Sequence, residues 1–220
     1  MKVTLERFTI EPEGLAGKAA AICYKGKNPG KSLEVAMKGG HHSVLEHAVF
    51  TFKVEGVSRV LLAQLTRHRL ASFSVESQRY CGADQELVVP KSMKRHELTD
   101  DIVAVKKAVE ALYKKALALG VKEEDARYMT LQAGQTKLMV TMNARELLHF
   151  FSLRCCTRAQ WEIRDLAWEM VKQAQKVAPV VFENAGPYCV QHGVCIEGDK
   201  CCGKAPRLDK LIEAHKAQRA

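Results

Sequence analysis

The chain has 220 residues, 47% of them apolar, and a formal net charge of +9. That length can bury a proper core and points to a single domain over residues 1–220. No stretch approaches the roughly 20 apolar residues of a membrane span, and Met1-Lys-Val-Thr-Leu-Glu-Arg7 lacks the apolar segment of a secretory signal, so a cytoplasmic protein is expected.

In chain order, Val3–Ile10 is rich in β-formers and predicts a strand. Leu15–Tyr24 is Ala-rich and helical, Lys25–Gly30 is a turn cluster, and Ser32 is placed to cap a short helix, Leu33–Lys38, that stops at Gly39-Gly40. Ala48–Glu55 alternates as a strand does: Val49, Thr51 and Lys53 share one face, and Phe50, Phe52 and Val54 the other. Gly56 is expected to break it, and Ser58 to cap a helix through Val60–Leu65 that delivers Arg67. Gln85–Val89 reads as a short strand stopped by Pro90. Thr99 is expected to cap a long helix whose stripe is Ile102, Val105, Val109, Leu112, Ala116 and Leu119, closed by Gly120. Glu123–Leu131 predicts another helix, Thr136–Met142 a strand, and Asn143–Arg154 and Ala159–Ala178 two further helices, the last ended by Pro179. Trp161 and Trp168 read as core residues. From Gly186 the Gly, Cys and Lys content predicts a poorly packed tail.

The eight cysteines include two adjacent pairs, Cys155-Cys156 and Cys201-Cys202, an arrangement that suits reduced thiols better than a disulfide framework. Metal chemistry has no support. His41-His42-Ser-Val-Leu-Glu46-His47 is not His-Glu-x-x-His, and Cys189, Cys195, Cys201 and Cys202 lack CxxC spacing. The positive charge admits two classes of function: a basic nucleic-acid-binding module, or a site for anionic small molecules. The arginines stand in motif-like segments among apolar residues rather than in basic blocks. Aromatics are only 6% of the chain, so few bases could stack between the cations. Both facts favour small molecules.

Two segments carry the chemistry. In the first, Arg67-His68-Arg69 is followed after seven residues by Ser77, with Glu76, Gln78 and Arg79 around it. Cations at a helix C-terminus are ordinary, but a row of hydroxyls ending in a further arginine suggests a nest for phosphate or carboxylate oxygens. In the second, Asn143 and Arg154 fall on one helical face, Arg145 and His149 are i, i+4 neighbours on roughly the opposite side, and Leu147, Phe150 and Phe151 form the apolar arc. Arg158, one turn beyond Arg154, reads as solvated.

These residues resemble the flavin-dependent thymidylate synthases. Arg-His-Arg, seven residues, then Ser matches Arg67–Arg69 and Ser77, extended by Arg79, and Asn-x-Arg followed by an arginine matches Asn143, Arg145 and Arg154. The similarity runs from about residue 35 to about 165. It implies an α/β (α+β) fold, a central mostly antiparallel sheet flanked by helices, assembled as a homotetramer with sites at subunit junctions. It implies reductive methylation of dUMP to dTMP, with 5,10-methylenetetrahydrofolate as carbon donor and NADPH as reductant through FAD. By resemblance, Arg67, His68 and Arg69 face the flavin, with Arg67 also near the nucleotide. Ser43, Glu46, Asn143, Arg145 and His149 complete the FAD contacts. Gln64, Ser77, Gln78, Arg79 and Arg127 hold dUMP, Arg154 pairs with the uracil N3/O4 edge, and His41 lies where nicotinamide or folate approaches.

The chain departs from the family pattern in two places. Val75 stands where many members have Glu, beside Glu76, so that Val75 and Glu76 are expected to touch substrate or cofactor through the backbone. His149 stands where others have Asn. No cysteine is followed by His, as the classical synthase's nucleophile is. Arg154 offers another way to activate uracil C5: a fixed guanidinium favours the N3-deprotonated or enolate-like base. Arg154 and Ser77 are therefore the residues expected at the reacting base, with Ser77 binding rather than attacking, since a serine nucleophile needs an adjacent base.

Overall fold

The structure, a computed structural model, describes residues 1–82 and 85–217. Its elements are β1 (Lys2–Phe8), α1 (Pro12–Tyr24), α2 (Pro29–Lys38), a 3-10 segment (His42–His47), β2 (Val49–Ser58), α3 (Arg59–Leu65), β3 (Ala71–Val75), α4 (Lys91–Arg95) and α5 (Thr99–Ala118). There follow α6 (Glu123–Ala126) running into a 3-10 turn (Arg127–Met129), β4 (Gln135–Asn143), α7 (Ala144–Arg154), α8 (Trp161–Val177), α9 (Tyr188–His192), a 3-10 turn (Gly198–Lys200) and α10 (Leu208–Ala217).

The strands form a four-stranded antiparallel sheet in the order β1-β2-β4-β3, the expected mixed class. Register is visible in the Thr9 N–H donating to the Val49 carbonyl at 2.9 Å and in a 2.9 Å bond between the Thr51 and Thr141 hydroxyls. The alternation in β2 comes out as read: Phe50, Phe52 and Val54 are fully buried, and Thr51 and Lys53 are not.

Two compact units are interleaved in sequence. The first holds residues 1–2, 53–67 and 73–139; the second holds 3–52, 68–72 and 140–220. Every strand has residues in both. In the second unit Phe182 meets Phe50 and Phe151 at ring-centre distances of 5.4 and 6.0 Å, aromatic contacts contributing roughly 0.5–1.5 kcal/mol per pair beyond their buried area. There α8 is tied to β1 by Gln173, whose amide accepts from the Leu5 N–H and donates to the Val3 carbonyl. The first unit buries Val54, Val57, Leu61, Leu65, Tyr113 and Leu138.

Several local expectations change. The α2 cap is Asn28, whose Oδ1 accepts from the Lys31 N–H, and Pro29 opens the helix. Ser32 is a full turn inside, its hydroxyl donating to the Asn28 carbonyl. Gly56 does not end β2. It sits within the strand at φ 68, a conformation that glycine adopts without steric cost. The hydroxyl-rich segment after Arg69 forms β3, a strand that its Ser content conceals. Gln85–Val89 makes only an isolated bridge, Leu87 with Gly134, because it pairs with a turn rather than an extended strand. Thr99 is the first residue of α5 and does not cap it; Leu98 precedes it without a side-chain bond. The α5 stripe is open: Val105, Leu112 and Leu119 are 51%, 52% and 75% exposed, and the buried residue of that helix is Tyr113. The helix expected to run to Leu131 breaks at Ala126, leaving Arg127 in the 3-10 turn. Trp161 is half-buried and Trp168 partly exposed, so neither is a core residue. The tail is better packed than its composition implies. Gln191 of α9 donates to the Leu148 and Gly186 carbonyls, and Cys195 is buried and pairs through its backbone with Pro206 and Leu208.

Candidate active site

The Ser58 hydroxyl accepts from the Leu61 N–H and starts α3. The chain leaves that helix at Thr66, so Arg67, His68 and Arg69 fall just beyond its end. His68 alone of the three is buried, at 5% exposure; Arg67 and Arg69 are exposed. In the second unit the Asn143 side chain caps α7, its Oδ1 accepting from the Glu146 N–H at 2.9 Å. From that start the spacing 143, 146, 147, 150, 151, 154 runs as one stripe down the helix. It carries Glu146, Phe150 and Arg154 to one imidazole.

His68 Nδ1 lies 3.2 Å from Glu146 Oε1, and its Nε2 accepts the Arg154 Nε–H at 3.0 Å. The ring stands edge-on to Phe150, centroids 4.9 Å apart, with His149 at 6.0 Å. Because a guanidinium only donates, Nε2 must carry the lone pair and Nδ1 the proton. Burial, the Arg154 charge and His149 hold the imidazole down at about 4, so it is neutral at physiological pH. Burial likewise raises the Glu146 carboxyl, partly opposed by His149, and lowers Arg154. Arg154 is half-buried, and its two Nη groups have no hydrogen-bond partner among the described residues. Glu146 escaped the sequence reading. The available signal was a carboxylate on the apolar arc between Asn143 and Leu147, where a charge needs a partner.

Around this cluster Arg145 forms an exposed ion pair with Glu46. Ser43 is exposed on the 3-10 segment, and His149 is exposed on α7. His41 is exposed, its ring tilted against that of Tyr24 with centroids 5.8 Å apart. Burial and then the nearby Arg145 charge lower the His42 imidazole.

In the first unit, Ser77, Gln78, Arg79 and Arg127 come together through residues that the sequence reading did not name. The Ser77 hydroxyl accepts from the Arg79 N–H at 3.1 Å, opening a turn in which the Cys81 N–H bonds the Ser77 carbonyl. The Gln78 amide donates to the Thr130 hydroxyl at 3.0 Å. Arg79 pairs with the Glu124 carboxylate at 2.7 Å, and the Arg127 Nε–H donates to the Glu124 carbonyl at 3.1 Å. Beside them is an open hollow of about 410 Å³ lined by Arg79, Tyr80, Leu117, Lys122 and Glu124. Glu76 is committed to structure: its carbonyl accepts from Arg59, its N–H bonds the Lys137 carbonyl, and its carboxylate pairs with Lys137 at 3.0 Å. Val75, half-buried, ends β3. Gln64 turns its amide to its own helix, toward the Val60 carbonyl. His68 is not poised as a base for a serine, since both its ring nitrogens are engaged. Cys155 is buried, which pushes its thiol up to about 12 and makes it a poor nucleophile at neutral pH.

Fold and site together define a mixed α+β protein with two arginine-bearing polar clusters. Residues 4–180 match the family described as "Thymidylate synthase complementing protein". The flavin-dependent thymidylate synthase of Geobacter sulfurreducens is 44% identical over 96% of this chain and 98% of its own. That of Pyrococcus furiosus is 42% identical over 90% and 91%. The chain belongs to the family of flavin-dependent thymidylate synthases. The crystal structure of the Helicobacter pylori enzyme ThyX, complexed with FAD and dUMP, superposes with a TM-score of 0.71 at 26% identity, covering 84% of this chain and all of that one. A UMP/dUMP methylase, PolB of Streptomyces cacaoi, has a TM-score of 0.73 at 24% identity and shares the fold. The nucleic-acid-binding reading finds no support in these likenesses.

Proposed function

We propose that this protein methylates dUMP to dTMP with FAD as its cofactor, 5,10-methylenetetrahydrofolate as carbon donor and NADPH as reductant. The observation that carries this reading is Arg154. Its Nε is bound to a neutral imidazole, which leaves two parallel N–H groups in a half-buried setting. Such a fork suits the O4 and deprotonated N3 of uracil and would push electron density toward C5. The thiol buried beside it, Cys155, is equipped for no such role.

The donor set also suits the flavin. Arg67 and Arg69 are exposed cations, Arg145 and His149 are exposed donors, and Asn143 has its amide N–H groups left over once its oxygen is committed to the cap. With Ser43 these match an anionic diphosphate and the carbonyl edges of a heterocycle. His68 is read here as support for Arg154, not as an open flavin contact. FAD, when bound, carries reducing equivalents from NADPH to the transferred carbon. Ser77, Gln78, Arg79 and Arg127 would hold the nucleotide phosphate and sugar, Ser77 as a binding hydroxyl. Gln64 and the backbone around Val75 and Glu76 would add contacts, and His41 would meet nicotinamide or folate.

We read the two units as one catalytic domain followed by the Cys/Lys-rich tail from residue 186, working as a homotetramer whose sites draw on more than one subunit. The exposed apolar stripe on α5, with Val105, Leu112 and Leu119 seven residues apart, supports burial against another copy. The eight free thiols suit the reducing cytoplasm. Among the described residues no helix is long and apolar enough to cross a membrane.

The purified protein should be yellow, bleach with NADPH, and release the C5 hydrogen of dUMP only when the folate is present. Colourless protein that cannot be reconstituted with FAD would end this reading. Arg154→Ala should abolish turnover with FAD still bound; near-normal turnover would remove the role given to that residue.

A further inference from the structure

We infer that Glu146 and His68 are positioning residues that aim the Arg154 guanidinium by fixing an imidazole tautomer; this rests on the reading of Arg154 as the residue at the uracil edge. Glu146 and Arg154 lie eight residues apart on the same stripe of α7, and the His68 ring bridges them. One ring nitrogen faces each, and Phe150, midway between, stands edge-on to the ring.

The donor count admits one arrangement. The Arg154 Nε–H can only donate, so His68 Nε2 must be unprotonated. A neutral ring then carries its proton on Nδ1, which donates to Glu146 Oε1. That oxygen must accept, so Glu146 selects the tautomer. The opposite tautomer, or the doubly protonated ring, would set an N–H against the Arg154 Nε–H. Glu146 and His68 are each 5% exposed, so water is poorly placed to take over either bond. Holding Nε fixes the plane of the guanidinium and leaves both Nη groups for a ligand. A lysine could supply the charge but not the plane.

The test uses the full-length, FAD-loaded protein with Glu146→Leu and Glu146→Gln. Leucine removes the acceptor. Glutamine keeps an oxygen that can accept from Nδ1–H while removing the charge. Histidine ¹⁵N NMR at neutral pH should show His68 of the unmodified protein with Nδ1 protonated and Nε2 bare. Glu146→Gln should keep that pattern, and Glu146→Leu should lose it. Release of the dUMP C5 hydrogen should fall roughly 10–100-fold in Glu146→Leu, as expected when a catalytic group is misaimed, and stay within about threefold in Glu146→Gln. Glu146→Leu with an unchanged tautomer and turnover overturns the inference. So does Glu146→Gln that keeps the tautomer yet is as impaired as Glu146→Leu. Should Glu146→Leu fail to load FAD or melt early, His68→Gln against His68→Phe repeats the contrast, since an amide oxygen can accept from Arg154 and a phenyl ring cannot; equal turnover in that pair also overturns it. If instead Arg154→Ala proves active, the reading of Arg154 fails, and the tautomer in the Glu146 variants still reports on the relay by itself.

Discussion

Lowering the pH from 6.5 toward 4 should weaken the fold through one buried ring. His68 has an ordinary value of 6.5 when the chain is unfolded and about 4 when it is folded. Between those values the unfolded chain binds a proton that the folded chain refuses, so stability falls as pH falls. The full difference corresponds to about 3 kcal/mol. An effective interior dielectric well above that of dry protein reduces the figure to about 1–2 kcal/mol. Glu146, raised by burial, acts in the opposite direction and trims it further. The assay is the urea midpoint at pH 7, 6, 5 and 4.5 for the unmodified chain and for His68→Gln, which cannot titrate there. Comparing the two slopes removes the other seven histidines. His68→Gln should be less stable at pH 7 and flatter with pH. Parallel slopes would refute the claim that His68 is held neutral by its surroundings.

Three further outcomes follow from the geometry. Gly56→Ala should cost about 1–2 kcal/mol in thermal unfolding from its left-handed backbone, since its Cβ would meet nothing closer than 3.5 Å. In the native protein iodoacetamide should modify the exposed Cys23, Cys81 and Cys202 and spare Cys155 until denaturant is added, read by peptide mass; Cys155→Ala should keep turnover, and its loss would bring a thiolate back into the mechanism. Phe150→Ala should cost about 3–5 kcal/mol and, by removing the ring against His68, lower C5-hydrogen release more than an equally destabilising change at Phe52, measured at a temperature where both variants are folded.

What could be read from the chain alone was whatever is settled within a turn or two of backbone. The alternation of Val49–Val54, the Ser58 cap, the breaks that bound α7 and α8, and the unusual Arg67–Ser77 segment are of this kind, and a resemblance over such segments was enough to name the family. Near misses came from equal local candidates: Asn28 and Ser32 could each cap α2, and Pro29, which needs no N–H partner, favours the earlier start. What could not be read depends on partners far off in sequence. Glu146 is buried because His68, 78 residues away, offers it an N–H. Arg79 and Arg127 gather because Glu124 presents both a carboxylate and a carbonyl. Leu112 and Leu119 look like core by period yet face outward, because helical periodicity reports an apolar side without saying what covers it. Local hydrogen bonds and side-chain spacing are carried by adjacent residues, whereas burial, protonation and the aim of Arg154 arise only when the folded chain removes water from between groups that the sequence keeps apart.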